Sequence, residues 1–411
     1  MKILFIHQDI PGQFEPLIRA LLDEGGHEVR GLGKHFKPHF ETRMPGLQLA
    51  FYPVPSPPAT VEGVPDDTLK ALATGRQVAL CLARWQAQGY RPDIIVSNIG
   101  FGEAIHLREV YPDTPVLAYC EYYFHTRNSN ADFGRAAPLS LEDRCLIHNG
   151  NITPLLGMTA MDMGVSPTLW QKNLFPAEFR RKISVIHEGV DTVRLCPDES
   201  ATVTLPNGQV LDRSMPVVTY ATRNLEPYRG FDVFMQAVEK LCRRRRDCRF
   251  LIAGGDEISY SPPLPAGETY RQRLLKQCAI DLNRVHFVGR RTYEDYIRIL
   301  QVSAVHVYLT YPFVLSWSLL ESMSVGCVIV ASDTAPVREV IQDERNGFLV
   351  PFFSAGQLAD RIEAVLDHPT RCRAIGLQAR QDVVSGYDRS HALARYRDLI
   401  DRLVQTGTAR H

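Results

Sequence analysis

The sequence predicts an α/β protein made of two doubly wound domains. Three observations lead there. Short apolar runs alternate with segments of helical periodicity, the pattern of parallel strands joined by crossover helices. The alternation stops over residues 196–216, which hold Pro197, Pro206, Asn207-Gly208 and Pro216 and few apolar side chains, and then restarts. A length of 411 residues accommodates two to three domains at roughly 150 residues each. The expected division is 1–195 for an amino-terminal Rossmann-like domain, 196–385 for a second such domain, and 386–411 for a final helix packed back on the first.

The elements follow in order. Residues 2–7 form an apolar run of the length of a buried strand. A turn at Pro11-Gly12 comes next, then Phe14, Leu17, Ile18, Leu21 and Leu22 at helical spacing, closed by Gly25-Gly26. Strands are expected at 27–31, 94–97, 116–119, 164–166 and 183–187, with helices near 103–110 and 168–174. The 196–216 stretch reads as interdomain connection plus hairpin. After it, strands are expected at 217–221, 249–253, 285–288, 304–309, 327–331 and 347–350. Helices are expected near 231–243, 293–300, 317–324, 357–366, 371–384 and 389–404. Two irregular insertions, 126–138 and 258–269, are of the kind that more often carries function than not.

Composition narrows the partners. The 46 Lys and Arg are balanced by 46 Asp and Glu, and phosphate-backbone binding calls for a basic excess, so nucleic acid is not an expected partner. No apolar run reaches the roughly 18 residues of a membrane span. Nine cysteines, without any Cys-x-x-Cys, read as thiols of a reducing compartment, and a cytoplasmic protein is expected. The basic run Arg243 to Arg246 ends a helix, where it complements the helix dipole; its second reading is weak contact with the inner face of a membrane.

In two such sheets, set to face each other across a cleft, ligands lie beyond the carboxyl ends of strands. Two segments stand there. In Thr222-Arg223-Asn224-Leu225-Glu226-Pro227-Tyr228-Arg229-Gly230, two arginines flank a proline-bearing turn and Gly230 opens a helix. Such cations and helix-terminal amides suit a diphosphate, although two arginines of a solvated loop would read the same. In the segment from Tyr311 through Ser332, a strand ends and a helix starts near Ser316, whose free amides suit a phosphate. Glu321 lies a turn further on, able to accept two ribose hydroxyls. His7 follows the first strand, and Gly254-Gly255-Asp256 follows a later one.

The second segment resembles the signature of family-4 retaining glycosyltransferases of the GT-B fold: a Glu, seven residues, a second Glu, then small residues, Gly and a strand. The resemblance extends over nearly the whole chain, through residues 3–29, Val165-Ser166-Pro167-Thr168, residues 185–197 with Gly189-Val190-Asp191, and Phe287-Val288-Gly289-Arg290. It implies a GT-B fold and metal-independent transfer, with retention, from a nucleotide-diphosphate sugar. Arg223 and Arg229 stand where the family keeps an Arg and a Lys against the diphosphate, one residue further apart here. Gly289 and Arg290 match the turn that reads the base, and Glu321 matches the ribose-binding Glu. By the same resemblance Gly12, Phe313, Val314, Leu315 and Ser316 join the donor site. The family's first Glu falls at Phe313, which suggests a donor sugar recognised by shape, for instance a deoxy or otherwise altered one.

Where the family commonly has a His after the fourth strand, this chain reads Cys120-Glu121-Tyr122-Tyr123-Phe124-His125. Glu121 is the positional match and His125 the second candidate. The acceptor, expected beside Gly12, residues 121–125 and the 126–138 insertion, is left open among glycan, lipid-linked, protein and small-molecule classes. No cofactor is implied. The sequence lacks any Asp-x-Asp pair or metal-spaced His or Cys set, so no metal is expected. A sugar-nucleotide epimerase and a non-catalytic nucleotide- or glycan-binding protein are the rival readings.

Overall fold

A computed structural model describes residues 1–34, 44–56 and 59–408. The chain divides into two compact units, 1–189 together with 389–411, and 190–388. The divisions fall at Gly189/Val190 and Asp388/Arg389, a few residues from those drawn at 195/196 and 385/386.

The first unit carries a seven-stranded sheet, parallel throughout, in the order β3-β2-β1-β4-β5-β6-β7. Its strands are β1 (Lys2–Ile6), β2 (Glu28–Gly33), β3 (Leu47–Phe51), β4 (Ile94–Asn98), β5 (Val116–Tyr119), β6 (Met163–Ser166) and β7 (Ile183–Val185). Successive side chains of a strand point to opposite faces, so β1 feeds two cores. Leu4 and Ile6 join Val78, Leu82 and Met158 on one face. Ile3 and Phe5 join Leu17, Ile18 and Leu21 of the helix Glu15–Glu24 on the other. That second face is completed from the far end of the chain: Tyr396, Leu399, Ile400 and Leu403 of the helix Arg389–Thr408 recur at one-face spacing and pack there. Sequence reasoning did not place β3 or the helices Asp66–Ala87, Leu141–Asn149 and Ile152–Ala160. The helix expected over 103–110 is a single turn, Leu107–Val110.

The second unit repeats the architecture. A short antiparallel hairpin, β8 (Thr202–Thr204) with β9 (Val210–Asp212), precedes a six-stranded parallel sheet in the order β12-β11-β10-β13-β14-β15. These strands are β10 (Val217–Asn224), β11 (Arg249–Gly255), β12 (Val285–Gly289), β13 (Val305–Tyr308), β14 (Ile329–Ser332) and β15 (Phe348–Val350). The hairpin lies where 196–216 foretold one, but within the second unit and not between the two. The helix Phe231–Arg244 buries Phe231, Phe234, Met235, Val238 and Leu241. In both sheets the strand order reverses beside the first strand, at β1/β4 and at β10/β13. Backbones diverge at such a point and leave a crevice at the carboxyl ends.

The basic run is largely neutralised within its own unit. Arg243 pairs with Glu239 at 2.7 Å, Arg244 with Asp360 at 2.5 Å, and Arg245 with both Asp247 and Asp367. Among the described residues no helix is long and apolar enough to cross a membrane, and all nine cysteines are free thiols.

Candidate functional site

The crevice of the second unit is a cavity of about 640 Å3 beyond β10, β11 and β13. Its lining includes Arg223, Arg229, Gly289, Arg290, Ser316 and Glu321. Strand β10 runs on past Ala221 with a register shift against β11, so Arg223 sits on the strand end and not in the loop after it. Its side chain is exposed and, among the described residues, makes no hydrogen bond or ion pair.

Arg229 closes the short 3-10 turn Pro227–Arg229. Its Nη1 donates to Thr310 Oγ1 at 2.7 Å, and the guanidinium carbon lies 5.4 Å from the Tyr260 ring centroid. The Tyr220 hydroxyl fixes the backbone by donating to the Arg229 carbonyl at 2.6 Å. Gly230 follows in the left-handed region, φ 69°, and a Cβ there would stand 2.5 Å from Leu309 Cβ. Only glycine meets both conditions.

Glu226 had no role in the sequence reading, yet it organises this corner. The residue is 1% exposed, and Oε2 accepts the amides of Ser259, Tyr260 and Ser261 at 3.2, 3.0 and 2.9 Å. A buried carboxylate satisfied by three N–H donors binds its loop tightly. It holds the 258–269 insertion, and with it Tyr260, against the arginine turn. An acid inside the arginine motif, beside Pro227, was the available signal.

The helix Trp317–Ser324 begins at this cavity. Ser316 caps it, accepting the Ser318 amide at 3.4 Å, while its own amide donates to the Tyr308 hydroxyl at 3.0 Å. One turn along, Glu321 receives the Tyr293 hydroxyl on Oε1 at 2.7 Å and the Tyr296 hydroxyl on Oε2 at 3.0 Å. Burial, reinforced by the Glu321 charge, holds Tyr296 well above the usual phenol range, so it remains a proton donor. Neither tyrosine was singled out from sequence, since each lies more than one element away from Glu321. Arg290 donates to Asn224 Oδ1 at 3.0 Å and to Glu257 Oε2 at 2.8 Å, an arrangement at the solvent edge.

Phe313, Val314 and Leu315 do not line this cavity. Leu315 is 4% exposed and belongs to the hydrophobic core, and the Phe313 ring packs 5.6 and 5.3 Å from those of Tyr228 and Tyr260.

The other candidates belong to the first unit. Gly12 sits against His7, where a Cβ would come 2.6 Å from Nδ1. The neighbouring Gln13 donates to Glu121 Oε2 at 3.2 Å, as does Asn98 Nδ2. Burial pushes the Glu121 carboxyl up to about 7; the Glu188 charge adds to this, and the Asn98 and Gln13 bonds oppose it. His125 turns elsewhere. Its Nε2 lies 2.7 Å from the Leu174 carbonyl, which can only accept, so that nitrogen carries the proton. Thus Glu121 meets the Gly12 turn through Gln13, while His125 is tied to the end of the helix Leu169–Leu174.

Two family models divide the chain between them: that of the glycosyl transferase family 4 group matches residues 25–195, and that of glycosyl transferases group 1 matches residues 209–382. The chain belongs to this group of family-4-like glycosyltransferases, and its fold is GT-B. Among curated relatives it is similar to the alpha-D-kanosaminyltransferase of Streptomyces kanamyceticus, 29% identical over 154 residues, which is 38% of this chain and 37% of that protein. The match therefore spans well under half of the relative's length. Among solved structures it is similar to the sucrose-phosphate synthase of Thermosynechococcus elongatus, with a TM-score of 0.73, 16% identity, and 99% and 100% of the two chains covered. It is also similar to Anabaena HepE in complex with UDP-glucose, with a TM-score of 0.70, 17% identity, and 98% and 100% covered. These two likenesses concern the fold.

Proposed function

We propose that this chain transfers a glycosyl group from a nucleoside-diphosphate sugar to an acceptor, with retention at the anomeric carbon and without a metal. One observation carries the reading: a single cavity gathers two arginines, the start of a helix and a carboxylate one turn along it. As the donor's glycosidic bond breaks, negative charge grows on the leaving diphosphate. The Arg223 side chain, otherwise unengaged among the described residues, and Arg229, braced by Thr310, would hold that charge, with the positive end of the helix Trp317–Ser324 adding to the field. Glu321 would take the ribose hydroxyls, pre-set in orientation by Tyr293 and Tyr296. Gly289 and Arg290 would border the base.

Retention is what the resemblance to family-4 retaining glycosyltransferases implies, and it would mean attack on the face the leaving group vacates. In the first unit, Glu121 is the candidate partner of the reacting sugar, because a carboxyl titrating near 7 can exchange a proton at working pH. The cations of this reaction are side chains, which agrees with a sequence lacking an Asp-x-Asp pair.

The test is calorimetric titration with UDP and GDP, followed by turnover of the corresponding sugars. Wild type should bind one diphosphate, and Arg229→Ala should lose about 100- to 1,000-fold in kcat/KM, the usual cost of removing one transition-state donor. Unchanged binding and turnover in both Arg223→Ala and Arg229→Ala would remove the diphosphate assignment.

A further inference from the structure

The first unit contains a second cavity, of about 620 Å3, that the donor reading leaves unused. It opens beyond β1 to β5, with Tyr52, Phe101 and Phe124 arriving just after strands β3, β4 and β5. Its walls come from the helices Asp66–Ala87, Leu141–Asn149 and Ile152–Ala160. The size is that of a site for one small molecule.

Its chemistry is unlike that of the diphosphate cavity. Most of its exposed lining is apolar, from Pro65, Ala71, Phe101, Phe124, Leu146 and Ile147, while Gln8, Asp67, Thr68, Lys70 and Thr74 add polar groups to its border. The Tyr52 hydroxyl is engaged, donating to buried Glu103 Oε1 at 3.0 Å. Against this apolar wall stands one orphan: Thr153 is 3% exposed, and its Oγ1 has no hydrogen-bond partner among the described residues. Lys34 also lines the space, and among the described residues its side chain makes no hydrogen bond or ion pair.

A free sugar is ringed with hydroxyls, and desolvating them against such walls costs free energy at every unpaired group. A molecule with an apolar body and a single polar end suits the same walls, because burial of the body is favourable and Thr153 and Lys34 can meet the end. We infer that this cavity binds the acceptor, and that the acceptor is an alcohol with an apolar body, aryl or alicyclic, rather than a saccharide. The assignment as acceptor rests on the transferase reading above; the binding itself does not.

The experiment uses 2-naphthol as fluorescent probe and methyl α-glucoside as polar competitor, on the full chain. Saturable naphthol binding is expected, weakened at least tenfold by Leu146→Asp and by Phe124→Asp. Both positions are partly exposed (42% and 41%), so these substitutions do little to the fold. Thr153→Val should weaken it about fivefold, and methyl α-glucoside should not displace it. Absence of naphthol binding, binding indifferent to both aspartates, or displacement by the glucoside overturns the inference. Titration of the same samples with UDP and GDP separates the two readings: wild type that binds neither counts against the transferase assignment, whereas naphthol failure with diphosphate binding intact counts against the apolar acceptor alone.

Discussion

The two units share one plan and furnish it oppositely. Each is a parallel sheet whose strand order reverses beside its first strand, with a cavity beyond the carboxyl ends. In the second unit that place is lined by arginines, tyrosine hydroxyls and Glu321, with Glu226 buried beneath a loop and satisfied by three amides. In the first it is walled mainly by apolar side chains, with Lys34, Asp67 and Lys70 among its polar members, and a buried acid beside it is less well satisfied. Glu103 is fully buried with Oε2 unpartnered among the described residues, and burial pushes its carboxyl up to about 7. The same fold thus gives one buried acid three N–H donors and leaves another with an unpartnered oxygen, where burial favours its neutral form.

Breaking the second unit's arrangement should have the largest effect. Glu226→Ala leaves three amides without their acceptor, and loss of about 3 kcal/mol or more of unfolding free energy is expected, read as a lower urea midpoint at unchanged slope. If the loss stays below about 1 kcal/mol, the carboxylate is not what holds the 258–269 loop.

The first unit should answer to pH instead. The Glu103 carboxyl is raised from 4.5 to about 7 in the folded chain, so the folded state binds its proton more tightly than the unfolded one. Its contribution is therefore fully favourable below pH 4.5, declines as pH rises toward 7, and above 7 amounts to a penalty of at most about 3 kcal/mol. Glu103→Gln keeps an acceptor for Tyr52 and removes this dependence. The variant's stability relative to wild type should improve from pH 4.5 to pH 8, as measured by denaturant titration at both. A pH-independent difference would contradict the assignment.

A smaller effect sharpens the donor side. Tyr296→Phe frees one oxygen of Glu321 from its hydroxyl partner and should weaken UDP about fivefold, in keeping with a single hydrogen bond of about 1 kcal/mol. If UDP tightens instead, the tyrosine competes with the ribose and does not orient the carboxylate.

The units also differ in how far they could be read from sequence. The second unit's groups are local to strand ends: Arg223 and Arg229 flank one turn, and Glu321 follows its cap by one helical turn, so spacing alone exposes them. What brings Tyr293 and Tyr296 to Glu321 is packing between elements, and nothing in either local pattern announces it. The first unit's cavity was hidden for a related reason. The helix Asp66–Ala87 buries Thr68, Ala71, Thr74 and Gly75 alongside only Val78 and Leu82, a face of small residues that carries little hydrophobic periodicity. Strand β3 has no fully buried residue, so its apolar pattern is weak as well. Phe313, read through its place in a family pattern, instead packs among Tyr228 and Tyr260. A pattern gives a position along the chain; the direction of the side chain is decided by its neighbours.

The return of Arg389–Thr408 to the amino-terminal sheet bears on synthesis. The ribosome makes 1–189 first, but the helix that completes the core face shared by Ile3, Phe5 and Leu17 emerges only after the entire second unit. At about 5–20 residues per second, the nascent amino-terminal sheet would keep that face only partly covered for some tens of seconds. During that interval it is a natural client for a holdase, and premature termination upstream of Tyr396 would leave that exposure permanent.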